Sequence, residues 1–337
     1  MCGIIAAASN RHVGKLLVQG LHKMEYRGYD SAGIALHQGD KIAHLRALGK
    51  VQLLEEKMVA EKPKSKLGIA HTRWATHGEP SEANAHPHKS KDSVYIVHNG
   101  IIENYIELRE SLIKEGYSFT SQTDSELIAH LLDKYMGESA SMTGAMYQAK
   151  EKLEGAYAIA AIDINDDQKL VVARNKSPLL LGLGTDEFFA ASDPLAIAQH
   201  TNDFVFLEDG DVAELTANTY KVFDANQNEV EREVTHIDIT NQAMSKGDHK
   251  HYMEKEIYEQ PEAVMNTING RIGGDDVLDN IFGLGSSDLF AKVQRIQIVA
   301  CGTSLHAGRV AANWLSAIAD LPCQVDYASE YRYRNPH

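Results

Sequence analysis

The residue with the greatest chemical potential in this chain is Cys2. Once Met1 is removed, Cys2 becomes the first residue and carries a thiol beside a free α-amino group. That amine has a reference pKa of about 8, so part of it is neutral near pH 7 and can act as an intramolecular base. A nucleophile activated by its own terminal amine is an established arrangement for covalent catalysis, and a thiol is easily raised to the reactive thiolate. Three segments supply companions: His71-Thr72-Arg73-Trp74-Ala75-Thr76-His77-Gly78, His98-Asn99-Gly100-Ile101-Ile102-Glu103-Asn104 and Ser121-Gln122-Thr123-Asp124-Ser125-Glu126. Arg73 can hold a carboxylate through two parallel hydrogen bonds, and Asp124 can hold an ammonium group. The Asn99 side chain and the Gly100 N–H can both donate to a tetrahedral oxyanion. A carboxylate, an ammonium and an amide carbonyl are the groups of glutamine. Each residue also has a plainer reading: Cys2 as a small buried hydrophobe, Asn99-Gly100 as a turn, Asp124 as a helix cap, Arg73 as a surface charge. Their joint occurrence behind a cysteine at position 2 favours the chemistry.

These residues need elements to hold them. Residues 2–8 read as a buried strand, with Cys2 at its entrance. A helix at 15–25 leads to the glycine-punctuated loop Tyr26-Arg27-Gly28-Tyr29-Asp30-Ser31-Ala32-Gly33. Ile34–His37 and Lys41–Leu45 make a hairpin, followed by a helix at 51–60. Leu67–His71 is a strand entering a His-, Gly- and Pro-rich loop, and Val94–Val97 is a strand ending at His98-Asn99-Gly100. Helices follow at about 103–115, at 124–135 with Thr123 or Asp124 as cap, and at 142–153. From Gly155 onward the pattern turns to strands, closing with Glu229–Glu233. Residues 2–238 thus read as one α+β domain, and strands apolar on both faces imply sheets covered by further layers.

Residues 239–252 are polar and form a candidate linker. A helix restarting near Met253 should kink or break at Pro261. Arg295–Ala300, a helix over Leu305–Ala319 and Cys323–Tyr327 make a βαβ opening. Two strands do not complete a doubly wound domain, so residues 253–337 read as an incomplete second domain. At Cys301-Gly302-Thr303-Ser304 a glycine and a helix N-terminus favour an anion, with a plain glycine turn and a Ser N-cap as the competing account.

The bulk numbers narrow the class. A length of 337 residues suits about two domains, and 43% hydrophobic with 24% charged residues is an ordinary globular composition. The net charge is −14, and the Lys and Arg residues are scattered, which argues against nucleic acid as a partner. No apolar run approaches a membrane span, and no basic region precedes the apolar start, so neither a membrane segment nor a signal peptide is expected. Cys2, Cys301 and Cys323 are too few and too far apart for a disulfide framework or a zinc site. They fit a reducing, cytoplasmic setting. His71, His77, His86 and His88 are spaced closely enough to suggest zinc, yet read better as pocket-lining or solvent-facing; no metal and no cofactor is expected.

Cys2-Gly3-Ile4-Ile5, the Tyr-Arg-Gly-Tyr-Asp-Ser-Ala-Gly loop, His-Thr-Arg-Trp-Ala-Thr-His-Gly, His-Asn-Gly-Ile-Ile-Glu-Asn and Thr-Asp-Ser-Glu resemble the class II glutamine amidotransferases, in the type that carries a sugar-isomerase domain. The segment 251–261 after the linker resembles that type too. The resemblance implies an N-terminal-nucleophile hydrolase with a four-layer αββα sandwich, followed by the truncated start of a parallel α/β sugar-isomerase domain. On the matching positions it implies Cys2 as the nucleophile, Asn99 and Gly100 as the oxyanion hole, and Arg73, Thr76, His77 and Asp124 around glutamine. It further implies Trp74 as the gate of an ammonia channel, Arg27 as an ordering residue for the loop beside Cys2, and Gly302, Thr303 and Ser304 as sugar-phosphate contacts. A full-length parent would pass the ammonia to fructose 6-phosphate, giving glucosamine 6-phosphate, and would be a homodimer; the chain as given would be a glutaminase. Two alternatives stand beside this: an amidotransferase acting on a phosphoribosyl acceptor, and a non-catalytic sugar-phosphate sensor. Retention of Met1 would leave Cys2 without its base.

Overall fold

The structure, a computed structural model, describes residues 2–75, 77–139, 141–238, 248–268, 272–273, 276–277, 286–331 and 333–334. Met1, Thr76 and residues 239–247 of the expected linker lie outside the described residues. The chain divides into two compact units, Met1–Asp248 and His249–His337.

In the first unit the chain runs β1 (Gly3–Ser9), α1 (Gly14–Met24), β2 (Ser31–His37), β3 (Ile42–Leu48), α2 (Val51–Glu61), β4 (Leu67–Arg73), β5 (His88–Ser90), β6 (Val94–Ile102), α3 (Tyr105–Lys114), α4 (Glu126–Met136) and α5 (Met142–Lys150). It continues through β7 (Gly155–Asp163), β8 (Leu170–Asn175), β9 (Leu180–Leu183), β10 (Glu187–Ala191), β11 (Asp203–Phe206), β12 (Val212–Leu215), β13 (Tyr220–Phe223), β14 (Glu229–Val230) and β15 (Val234–His236). One sheet has the order β15-β11-β9-β10-β1-β4-β2-β3, the other β14-β13-β12-β8-β7-β6-β5.

Strand alternation sorts the side chains into layers, because successive residues point to opposite faces. In β1, Ile5 and Ala7 join Leu17 and Leu21 of α1 and Leu54 of α2 in one core. Ile4, Ala6 and Ala8 face the other way and meet Val97, Ala158, Ala160 and Val172 of the second sheet. That sheet's outer face, with Val94, Ile96, Ile159 and Val171, packs on Leu127, Ile128 and Leu131 of α4 and Met146 of α5. The result is the αββα sandwich anticipated from the sequence.

Three local readings change. The sequence places Asn99-Gly100 after a strand, but β6 continues to Ile102 and pairs with β7 through Asn99–Ala158 and Gly100–Tyr157. Glycine makes this possible: Gly100 has φ +129°, and a Cβ there would sit 1.9 Å from the Ala156 carbonyl oxygen. Neither Thr123 nor Asp124 caps α4; the N-cap is Ser125, without a side-chain cap. Asp124 instead accepts from the Ile102 N–H at 2.9 Å. A strand over Val234–His236, absent from the sequence reading, pairs with β11.

The second unit holds α6 (Tyr252–Ile268), β16 (Ile272–Gly273), β17 (Asp276–Val277), α7 (Ser286–Phe290), β18 (Ile296–Ala300), α8 (Gly302–Ile318), β19 (Cys323–Tyr327) and α9 (Ala328–Tyr331). Pro261 lies inside α6 and does not interrupt it. The carbonyl left without its N–H partner belongs to the exposed Ile257, where water can take its place. β18 and β19 are parallel, as the βαβ reading requires.

Candidate active site

Four chemistry-bearing residues meet at one end of the layer between the sheets, and strand parity puts them there. Leu67 and Ile69 of β4 face the second sheet, so His71 and Arg73 follow on that face. Tyr95 and Val97 of β6 face the first sheet, and Asn99 continues their row. Cys2 precedes β1 in phase with Ile4, Ala6 and Ala8. Since Gly3 pairs with Thr72, the end of β4 is delivered beside Cys2.

The Cys2 sulfur accepts the Trp74 N–H at 3.2 Å, and the thiol lies 3.5 Å from the Trp74 carbonyl, to which it can donate. Burial pushes the thiol pKa above its ordinary value, against the opposing effects of the Trp74 hydrogen bond and the Arg73 charge. Asn99 bridges the sheets: its Nδ2 donates to the Cys2 carbonyl at 3.3 Å, and its Oδ1 is 2.8 Å from His71 Nε2.

Cys2, Arg73, Trp74, His77, Gly100 and Asp124 line a cavity of about 20 Å³, together with His86, His98, Thr123 and Ser125. That is room for about one water molecule. Arg73 is 3% exposed and already engaged. It donates to the carbonyls of His77, Gly78 and Glu79 and lies 3.6 Å from the Asp30 carboxylate. Asp30 in turn accepts from the Ala75 N–H, which fastens the loop after β4. The site is therefore closed, with loop carbonyls occupying the Arg73 donors. His77 packs edge-on against Tyr105, ring centroids 5.2 Å apart.

Other expected residues fall as follows. Trp74 is 52% exposed, and its indole lies over Gly28, where a Cβ would come within 2.6 Å of the ring. Arg27 pairs with Asp193, which also accepts from the Tyr26 hydroxyl at 2.7 Å. Gly302, Thr303 and Ser304 form the first turn of α8 in the second unit, all exposed; Gly302 has φ +59°, and nothing would meet a Cβ there. Thr76 lies outside the described residues.

The sequence reading named no role for His98 and Ser125, gave Thr123 only as a possible helix cap, and took His71 and His86 only as pocket-lining or solvent-facing. His98 is buried, and its Nδ1 is 2.8 Å from Ser125 Oγ; His71 and His86 stack at 4.1 Å. Burial lowers the pKa of all three histidines, that of His71 to about 3. The alternation from Leu67 to Arg73 marks His71 as facing Arg73's side of the strand, and is the one signal that could have found it. A larger cleft of about 480 Å³ between α1 and α2, lined by His12, Lys15, Val18, Glu55, Met58 and Lys62 among others, has no cysteine, serine or threonine among the described residues of its lining.

The chain is similar to known proteins along its whole length. Residues 71–199 match the glutamine amidotransferase domain, and residues 289–337 match the SIS domain. A protein of Shewanella oneidensis named glutamine--fructose-6-phosphate aminotransferase [isomerizing] is 49% identical over 337 residues, covering 100% of this chain and 55% of the relative. Its namesake from Pseudomonas putida is 50% identical over 335 residues, covering 99% and 55%. The chain thus spans about half the length of these curated relatives. Among solved structures, one described as the allosteric regulatory enzyme of purine biosynthesis matches with TM-score 0.60 and 24% identity, over 67% of this chain and 50% of that one. Glutamine phosphoribosylpyrophosphate amidotransferase from B. subtilis matches with TM-score 0.61 and 18% identity, over 96% and 65%. At those identities the likeness concerns the fold. The chain carries a glutamine amidotransferase domain followed by the start of a SIS domain, and corresponds along its length to the N-terminal part of proteins named glutamine--fructose-6-phosphate aminotransferase.

Proposed function

We propose that this chain hydrolyses the side-chain amide of L-glutamine through a thioester on Cys2. The observation that carries the reading is the convergence of Cys2, Gly100, Arg73 and Asp124 around one cavity, with the Asn99 amide donating to the Cys2 carbonyl beside it. The amine of Cys2, freed by loss of Met1, takes the thiol proton as sulfur attacks the amide carbon. The negative charge that develops on the carbonyl oxygen is met by Asn99 Nδ2 and the Gly100 N–H. Collapse expels ammonia, the leaving nitrogen having gained the proton, and water then releases glutamate.

Binding requires opening. Arg73 exchanges the carbonyls of 77–79 for the substrate carboxylate, Asp124 takes the ammonium, and His77 and Thr76 complete the walls. A charged guanidinium–carboxylate pair is stronger than a neutral one, so substrate itself drives the exchange. Arg27, tied to Asp193, steadies the loop that supports Trp74, which gates ammonia.

In the full-length protein the ammonia converts fructose 6-phosphate to glucosamine 6-phosphate in the cytoplasm, with Gly302, Thr303 and Ser304 at the sugar phosphate and a homodimer as the working unit. The relatives' name and the SIS match favour this acceptor over a phosphoribosyl one. No helix among the described residues is long and apolar enough to cross a membrane.

The test is intact-mass analysis before and after incubation with 6-diazo-5-oxo-L-norleucine, a glutamine-mimicking electrophile. The expected result is loss of Met1 and one adduct on Cys2, blocked by excess glutamine and absent in Cys2→Ser. A processed chain that forms no adduct overturns the reading.

A further inference from the structure

We infer that His71 is a positioning residue for the glutaminase chemistry: as a neutral imidazole protonated on Nε2, it fixes the orientation of the Asn99 amide so that Nδ2 points toward Cys2 and the developing oxyanion. The inference rests on the proposed glutaminase reading and adds a part that reading does not contain.

The argument begins with the two ends of the Asn99 side chain. An amide can rotate by half a turn about its last bond and exchange oxygen for nitrogen with little change of shape. Only one orientation puts a donor at Cys2. There Nδ2 faces the Cys2 carbonyl at 3.3 Å, an acceptor that would repel Oδ1. Oδ1 then faces His71 Nε2 at 2.8 Å. An oxygen in that place needs a donor, so the histidine must carry its proton on Nε2.

The surroundings hold the imidazole in that state. His71 is fully buried, in the interior of a sheet where its neighbours are fixed by register: Ile4 on β1 and Gly33 on β2. Its ring stacks on His86, centroids 4.1 Å apart and planes 29° from parallel. His86 Nδ1 accepts the His98 N–H at 3.3 Å, so that ring too has a defined tautomer. The Arg73 charge further disfavours a second proton on His71. The flipped amide would leave Oδ1 against a carbonyl at one end and two N–H groups opposed at the other. His71 is not among the residues lining the cavity; it acts by removing the alternative amide orientation from a group whose donor is needed only as charge develops.

The test compares His71→Gln with His71→Leu in this chain. Glutamine can place an N–H near the position of Nε2; leucine has similar bulk and no donor. Glutamate release is measured for kcat and KM, with melting temperature as the fold check. Loss of an oxyanion donor costs 10²–10³ in kcat elsewhere, and a freely flipping amide loses part of that. The expected result for His71→Leu is a fall in kcat of about 10- to 100-fold with KM changed less than about threefold. His71→Gln should stay within about fivefold of the wild type, since its side chain restores the donor. In an Asn99→Ala background, His71→Leu should cost nothing further, because the group it orients is gone. If the leucine variant is not recovered folded, His71→Asn, whose amide is too short to reach Asn99, replaces it. Wild-type kcat in the donorless variant, equal losses in the glutamine and leucine variants, or full additivity with Asn99→Ala would overturn the inference. An inactive, unlabelled wild-type chain would instead overturn the glutaminase reading itself.

Discussion

Lowering the pH from 7 to 5 should withdraw a defined part of the first unit's stability, and His71 lets the amount be worked out. In the folded protein burial holds its pKa down at about 3; in the unfolded chain it returns to about 6.5. A base whose folded pKa is depressed favours the native state while it is neutral. Its contribution is fully present above about pH 6.5 and is lost as the pH falls through 6.5 toward 3. Between pH 7 and pH 5 the unfolded histidine goes from about one quarter to almost fully protonated while the folded one stays almost unprotonated, which amounts to about 2 kcal/mol for this group alone. His86 and His88 are shifted in the same direction by the same cause, so the wild-type loss should be larger. The net charge of −14 works the other way, since acid relieves repulsion. Comparing wild type with His71→Gln cancels that background. The chain has two tryptophans, Trp74 and Trp314; with Trp314→Phe in both proteins, Trp74 fluorescence reports the first unit alone. Urea titrations at half-unit steps of pH then give two stability curves. Below pH 6 their slopes should differ by about 1.4 kcal/mol per pH unit, the signature of one proton. Parallel curves between pH 6 and 5 would mean that His71 is not buried neutral, and the account of its tautomer would fall with it.

Two further outcomes follow from the site. Gly100→Ala puts a methyl 1.9 Å from the Ala156 carbonyl oxygen at φ +129°; the strain should cost about 1–3 kcal/mol and lower the melting temperature by several degrees. A wild-type melting temperature would show that β6 and β7 do not approach so closely. Burial raises the Cys2 pKa, so iodoacetamide labelling of Cys2 in the absence of glutamine should still be accelerating with pH at 8.5. A labelling rate that levels off by pH 7.5 would contradict a desolvated thiol.

How much of this was legible in the chain differs from residue to residue, and the difference has a physical cause. Cys2, Arg73, Asn99 and Asp124 could be singled out because their chemistry is carried by residue type and by short local segments, and the layers could be anticipated because strands apolar on both faces need cover on both. The Asn99-Gly100 pair shows where local reading stops. In sequence it has the composition of a turn, yet the structure runs it straight through as strand, because the partner that makes the glycine necessary is Ala156, more than fifty residues away. Asp124 likewise has the makings of a cap, but a backbone N–H from Ile102 reaches it first. His71 is the sharpest case. Its parity with Arg73 was readable, and it fixes which face of β4 the imidazole occupies. What it meets there depends on how the two sheets are set against each other, and no periodicity within one strand encodes that. A side chain whose type suggested catalysis is thus oriented by one that the sequence marked only as pocket-lining or solvent-facing. The orienting layer becomes visible only when β4 and β6 are laid face to face, with His71 and Asn99 closing the gap at 2.8 Å.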